Sequence, residues 1–204
     1  DTPFFKTCSG HCTYRKNKDD FLKSPESVVN FPYFLTEATY KGKITPRNFL
    51  VLDESHNAEQ ELSRFIEIAI SERFVKSTLK MNWLGEKSQL NSFLWVRDKY
   101  FPKVKDRLSH VEGILKKFEG LKEKLEEFAG FARQHDMLKS HVDRLTTFIR
   151  HYDKENWVCE YDSGYGRKLA KVVFKPVDVS GFAKDYLLRL GHRTRLMSAT
   201  IVNH

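Results

Sequence analysis

Asp53, Glu54, Ser55 and His56 follow directly on the apolar run Phe49-Leu50-Val51-Leu52. Two adjacent carboxylates at the end of a buried strand are costly unless something cationic offsets them. Asp53 is suited to hold Mg²⁺, usually through water, with the ion balancing the charge of nucleotide phosphates. Glu54 is suited to orient and deprotonate an attacking water. His56 is placed to hydrogen-bond toward a neighbouring element. The plainer reading is a carboxylate pair at the N-terminus of the next helix, where the helix dipole favours negative charge. A second polar tip closes the run LMSATI, residues 196–201, where the Ser198 and Thr200 hydroxyls are able to bond a His or a carboxylate across adjacent strands. A third group is N-terminal. Cys8 and Cys12 bracket His11, which reads either as half of a zinc site or as two buried thiols.

The elements that position these groups follow from the apolar pattern. Residues 27–35, SVVNFPYFL, read as a short strand and a second apolar segment, and NFLVLDES as a stronger strand. Asn57 with Gln60 predicts a capping box for a helix carrying Leu62, Phe65, Ile66 and Ala69 on one face. From about 87 to 152 apolar residues recur at three- and four-residue intervals, Val104, Leu108, Val111 and Leu115 first and Leu138, Val142, Leu145 and Phe148 later. That predicts a helical hairpin with its own small core, set apart as a protrusion. NWVCEYD and KLAKVVFKPV then predict two strands around the turn Asp162-Ser163-Gly164. Ser180 caps a short helix stopped by Gly191, and RTRLMSATI predicts a last strand. Residues 26–60 and 170–204 are expected to share one sheet.

The whole chain has 204 residues and a formal charge of +8, with 40% hydrophobic and 30% charged residues. This composition excludes a disordered chain, and the positive balance favours an anionic partner such as nucleic acid. No apolar run approaches the roughly 18 residues of a membrane span, so no membrane association is expected. Three cysteines, Cys8, Cys12 and Cys159, suit a ligand pair better than a disulfide framework. The opening residues lack a signal-peptide pattern. An intracellular setting is expected, cytoplasm in a prokaryote or nucleus in a eukaryote.

With VLDESHN before a helical insertion and LMSATI after it, the sequence resembles the DEAH-type superfamily 2 helicases, the first run looking like their motif II and the second like their motif III. The N-terminal run from Cys8 and Cys12-Thr13-Tyr14 to Asn30-Phe31-Pro32-Tyr33-Phe34-Leu35 resembles the XPD/DinG-type iron–sulfur helicases. Three departures stand out. The family uses four cysteines for its [4Fe–4S] cluster, and two candidates are present. No G-x-x-x-x-G-K-[ST] phosphate loop occurs, and Ser55 stands where Ala is usual. The chain is therefore expected to be an internal fragment.

The resemblance implies an α/β fold, a partial RecA-like helicase domain 1 with a parallel sheet and an inserted, mainly helical Arch-like domain. It divides the chain into residues 1–25 of the cluster domain, 26–60 with motif II, 61–175 as the Arch-like insertion, and 176–204 with motif III. It implies an ATP-dependent 5′-to-3′ DNA helicase in the parent protein, without ATP hydrolysis by this chain alone. Asp53, Glu54 and His56 would be catalytic, Ser198 and Thr200 coupling residues, Cys8 and Cys12 cluster ligands, and Asp53 the Mg²⁺ ligand. Cys159 would stay a core thiol. Arg15, Lys16, Lys18, Lys103, Lys105 and Arg107 would meet phosphates of single-stranded or forked DNA, with Tyr100 or Phe101 stacking on bases. A monomer is expected, with protein partners possible through the Arch domain. The alternatives are a non-catalytic Arch-like module binding nucleic acid or protein, and a small zinc protein using Cys8, His11 and Cys12.

Overall fold

A computed structural model describes residues 13–39, 44–117, 125–164 and 169–199. Over the described residues the chain is mixed α/β with two sheets and several helices. Helix α1 spans Thr13–Lys23 and α2 Phe31–Thr39. Strand β1, Arg47–Leu52, leads through a single 3-10 turn into α3, Ala58–Ile66. Strand β2, Ile68–Ser71, follows. Helix α4, Gln89–Trp95, passes through a wider turn into α5, Phe101–Lys117, and α6 spans Leu125–His151. Strands β3, Trp157–Asp162, and β4, Lys171–Pro176, precede α7, Ser180–Tyr186, and β5, Gly191–Leu196.

The two sheets are nested in sequence. Strands β1 and β5 form a two-stranded parallel sheet, with Arg47 beside Gly191 and Leu52 beside Leu196. The residues between them supply a three-stranded antiparallel sheet of order β2-β4-β3. Residues 171–176 therefore pair inside the insertion and not with β1, which corrects the expectation that all of 170–204 joins the first sheet. The reason is the alternation of Val172 and Phe174, both fully buried, against Ile68 and Ile70 of the newly found β2. Ala69, expected on a helix, is an exposed strand residue because α3 stops at Ile66.

Local chemistry explains two further differences. Residues 27–35 do not form a strand. Asn30 accepts a hydrogen bond from the Tyr33 backbone N–H at 2.9 Å, an N-cap that starts α2, and this helix buries Phe34, Leu35 and Ala38. At α3 the expected Asn57 cap is absent: the 3-10 turn feeds helical geometry straight into Ala58, and the Asn57 side chain makes no cap bond.

Helices α5 and α6 form the predicted hairpin, burying Val104 and Val111 against Leu138 and Leu145. Its core is not separate. Phe148 meets Trp157 and Phe174 at ring-centroid distances of 4.8 Å each, so the end of α6 lies on the three-stranded sheet. The buried side chains run as one cluster from Leu35 through Leu62 and Phe174 to Leu190. Burying each of these large apolar groups contributes about 1.5–3 kcal/mol, enough to hold the insertion and the parallel pair to one core. No helix among the described residues is long and apolar enough to cross a membrane.

A polar pair sits inside the hairpin. The Tyr100 hydroxyl and His141 Nε2 lie 2.8 Å apart, with Phe74 edge-on to both rings. Burial pushes the His141 imidazole down to about 4, and the nearby Arg144 charge adds to that. In the unfolded chain the same group takes a proton near pH 6.5. Its contribution to stability is therefore complete above pH 6.5 and is lost as the pH falls toward 4, at about 1.4 kcal/mol per pH unit. Urea unfolding between pH 7 and 4.5 should show this decline, and His141→Gln should remove one proton's worth of the slope. An unchanged slope in the variant would contradict the buried neutral imidazole.

Candidate functional site at the ends of the parallel strands

The site is built on the β1–β5 ladder. Parallel strands in one sheet present their carboxyl ends on the same side, where open α/β sheets place ligands. Gly191 allows the two strands to start close together, since a Cβ there would lie 2.5 Å from the Leu50 Cβ. The ladder then continues past its last residues. Met197 N–H donates to the Leu52 carbonyl at 2.9 Å, and Ser55 N–H donates to the Met197 carbonyl at 2.9 Å. Asp53 and Ser198 thus stand just beyond neighbouring strand ends.

The side chains meet across this junction. His56 Nδ1 lies 2.7 Å from Ser198 Oγ and 3.3 Å from Glu54 Oε2. One ring nitrogen has one proton or one lone pair to offer, so it bonds the hydroxyl well or the carboxylate well, not both. Asp53 accepts a hydrogen bond from the Glu54 backbone N–H at 2.9 Å through Oδ1. Both carboxylates are exposed, so their charges are hydrated and neither needs a buried partner. The pair does not lead directly into the α-helix: a 3-10 turn intervenes, which weakens the plain helix-capping reading.

Glu54 has φ 48° and ψ 42°, left-handed geometry for a residue with a side chain. The turn reverses the chain between the strand and the 3-10 turn, so Glu54 projects beside His56. Holding a non-glycine residue there costs about 1–2 kcal/mol.

The remaining expected site residues fall elsewhere. Cys8, Cys12 and Thr200, with His11, lie outside the described residues. Among the described residues no three His, Cys, Asp or Glu gather as a metal site. The oxygen donor set at Asp53 and Glu54 nevertheless fits Mg²⁺, which keeps several waters and needs only one or two carboxylates besides phosphate oxygens. Cys159 is half-buried in β3, and burial raises its thiol pKa, with Tyr161 and Ser92 beside it.

Of the basic residues, Lys16, Lys103 and Lys105 are exposed. Lys105 lies over the Phe101 ring at 5.4 Å. Lys18 is drawn inward by Glu37 at 2.6 Å, with only 14% of its side chain exposed, so its charge is engaged within the protein. Arg107 donates to Gln134 Oε1 at 3.2 Å across the hairpin, and Arg15 is half-buried. Tyr100 is 1% exposed and is not available to stack on a base, because its hydroxyl is turned to His141. The reading of the sequence missed Trp83 and Trp95, which pack edge-to-face 5.8 Å apart beside Lys99 and Lys103. The signal was present as two tryptophans flanking a Gly-containing loop.

The left-handed turn generates a stability test. Glu54→Gly should be more stable than Glu54→Ala by about 1 kcal/mol, because only the glycine adopts this geometry without strain. Urea midpoints of the two variants measure it. An alanine variant as stable as the glycine variant would mean the turn is not held left-handed.

Comparison with protein-family models, with curated proteins and with solved structures returns no match for this chain.

Proposed function

We propose that the chain is part of an ATP-dependent 5′-to-3′ DNA helicase of the XPD/DinG iron–sulfur type. In this reading β1 and β5 belong to a RecA-like helicase domain 1, and residues 61–175 form an Arch-like insertion. The observation that carries it is the 2.7 Å contact between His56 and Ser198. It joins a D-E-S-H run and an S-A-T run, separated by more than a hundred residues in the chain, at the carboxyl ends of adjacent parallel strands. A helix-capping carboxylate pair has no need of that second run. The exposed face of the parallel pair adds support: Phe49 is 62% and Val51 53% exposed, whereas parallel sheets are normally covered on both faces, as in a larger sheet.

Each residue then has a role set by its place. Asp53 would hold Mg²⁺ through water, and the ion, when bound, would offset the charge of the nucleotide phosphates. Glu54, exposed at the tip of the turn, takes the proton of the attacking water. His56 alternates between Glu54 and Ser198, since its Nδ1 serves one of them at a time. When Glu54 works as the base, Ser198 keeps the imidazole in place, so the state of the carboxylate is felt on β5. Cys8 and Cys12 are assigned to the cluster in the parent protein. Lys16, Lys103 and Lys105 keep their charges exposed for phosphate contact without base readout.

The test is made in a chain that also carries a phosphate loop and an arginine finger, because phosphoryl transfer rests on positioning and charge neutralisation. There Glu54→Gln should leave ATP binding largely intact and lower turnover about 10²-fold or more, the scale of losing a general base. Single-turnover hydrolysis and nucleotide binding measured side by side give the answer. A fully active Glu54→Gln enzyme would reduce the carboxylates to a structural turn.

A further inference from the structure

A second concave site lies on the insertion, away from the strand ends. It is a solvent-open cavity of about 530 Å³ whose lining includes Met81, Trp83, Trp95, Lys99, Pro102 and Lys103. That volume is within the roughly 300–1,000 Å³ of small-ligand sites. We propose that this cavity receives one unstacked nucleobase of a single-stranded nucleic acid, with Lys99 and Lys103 on the phosphates beside it. The proposal rests on the helicase reading for its supposition that single-stranded nucleic acid reaches the insertion.

The aromatic wall is preformed. Trp95 stacks on Tyr100 at 5.3 Å and 22°, and Tyr100 is fixed in turn by its hydroxyl bond to His141. Trp83 meets Trp95 edge-to-face. The loop that carries Trp83 is pinned at several points. Lys80 turns the chain with φ 53°, and Met81 N–H donates to the Val75 carbonyl at 3.2 Å. Leu84 is buried, and Ser88 caps α4 by accepting from the Asn91 N–H at 3.2 Å. Little ordering entropy is left for a ligand to supply, so stacking on this wall is retained as affinity.

The rim is positive. Lys99 and Lys103 are exposed, about one helical turn apart, and no ion pair holds either of them among the described residues. Asp98, the one lining carboxylate among the described residues, is gripped by Arg97 through bonds of 2.6 and 2.9 Å, which offsets its charge. Two indole rings set at 71° to each other beside a pair of exposed ammonium groups suit a ligand with a π-face and an anion at every repeat. A single strand has both along its whole length. A peptide offers them only where an aromatic residue and a carboxylate happen to be spaced alike.

The test titrates the 204-residue chain with labelled oligothymidylate of about 15 nucleotides, within the reach of single-strand sites, and with an abasic deoxyribose-phosphate strand of equal length. Fluorescence anisotropy at low salt reports binding. The base-bearing strand should bind about 5- to 100-fold tighter, the scale of one stacked base. Trp83→Ala should close that gap and Trp83→Phe should keep most of it. Lys99→Glu with Lys103→Glu should weaken both strands alike and flatten the salt dependence. Equal binding of the two strands by the unmodified chain, which needs no variant to fold, would overturn the cavity assignment while leaving single-strand binding intact. A gap that survives Trp83→Ala in a variant with an unchanged melting curve would do the same. Absence of binding to either strand would remove the helicase reading as well. Tight binding of an acidic peptide with one aromatic residue, in preference to the oligonucleotide, would reassign the cavity to a protein partner.

Discussion

The parallel ladder between Arg47–Leu52 and Gly191–Leu196 is the constraint on which the candidate site depends. A strand's side chains alternate faces, so a slip of one residue would turn every one of them to the wrong side. The register is fixed at one end by Gly191, which lets the backbones approach at Leu50. At the other end it is fixed by the bonds that carry the pairing on through Leu52, Met197 and Ser55. Only in this register does Ser198 come level with His56.

What brings two such distant strands together is the packing of the chain between them. Helix α3 buries Leu62 and Ile66 in the common core, and α2 and α7 pack against it. The three-stranded sheet then returns the chain close to where it left. Packing at Phe148, Trp157 and Phe174 closes this detour, so the helical hairpin braces the sheet that positions β5. The insertion has thereby a structural part in the site, besides any surface it offers to ligands. At this site rigid elements carry the polar groups, and the short turn at Glu54 is strained, a common pattern at functional sites.

Much of this was legible in the sequence where period and chemistry agreed. The hairpin of α5 and α6 follows from Val104, Val111, Leu138 and Leu145, whose spacing admits no strand. Strands β1, β3, β4 and β5 follow from apolar runs bounded by turn residues. Strand β2 was hidden because Leu62, Phe65, Ile66 and Ala69 carry a helical spacing across the place where Ile66, Ile68 and Ile70 already alternate, and short apolar runs do not distinguish the two periods. Helix α2 was hidden because Val28, Val29 and Phe31 favour extended chain, while the Asn30 cap that decides the matter is one hydrogen bond. The pairing of Asp53 and Ser198 at neighbouring strand ends was readable from the two motifs. The inward turn of Lys18 and the burial of Tyr100 were not, since both depend on partners, Glu37 and His141, that only the tertiary fold brings near.

The central claim is that the two strand-end runs form one physically coupled unit through His56 and Ser198. A double-mutant cycle measures this most directly, with His56→Ala, Ser198→Ala and the double variant compared by urea unfolding at neutral pH. The account predicts a coupling energy of about 0.5–1.5 kcal/mol, the net value of one hydrogen bond. Effects that add within about 0.3 kcal/mol, the range found for independent sites, would contradict it, because the two residues would then be neighbours without being partners.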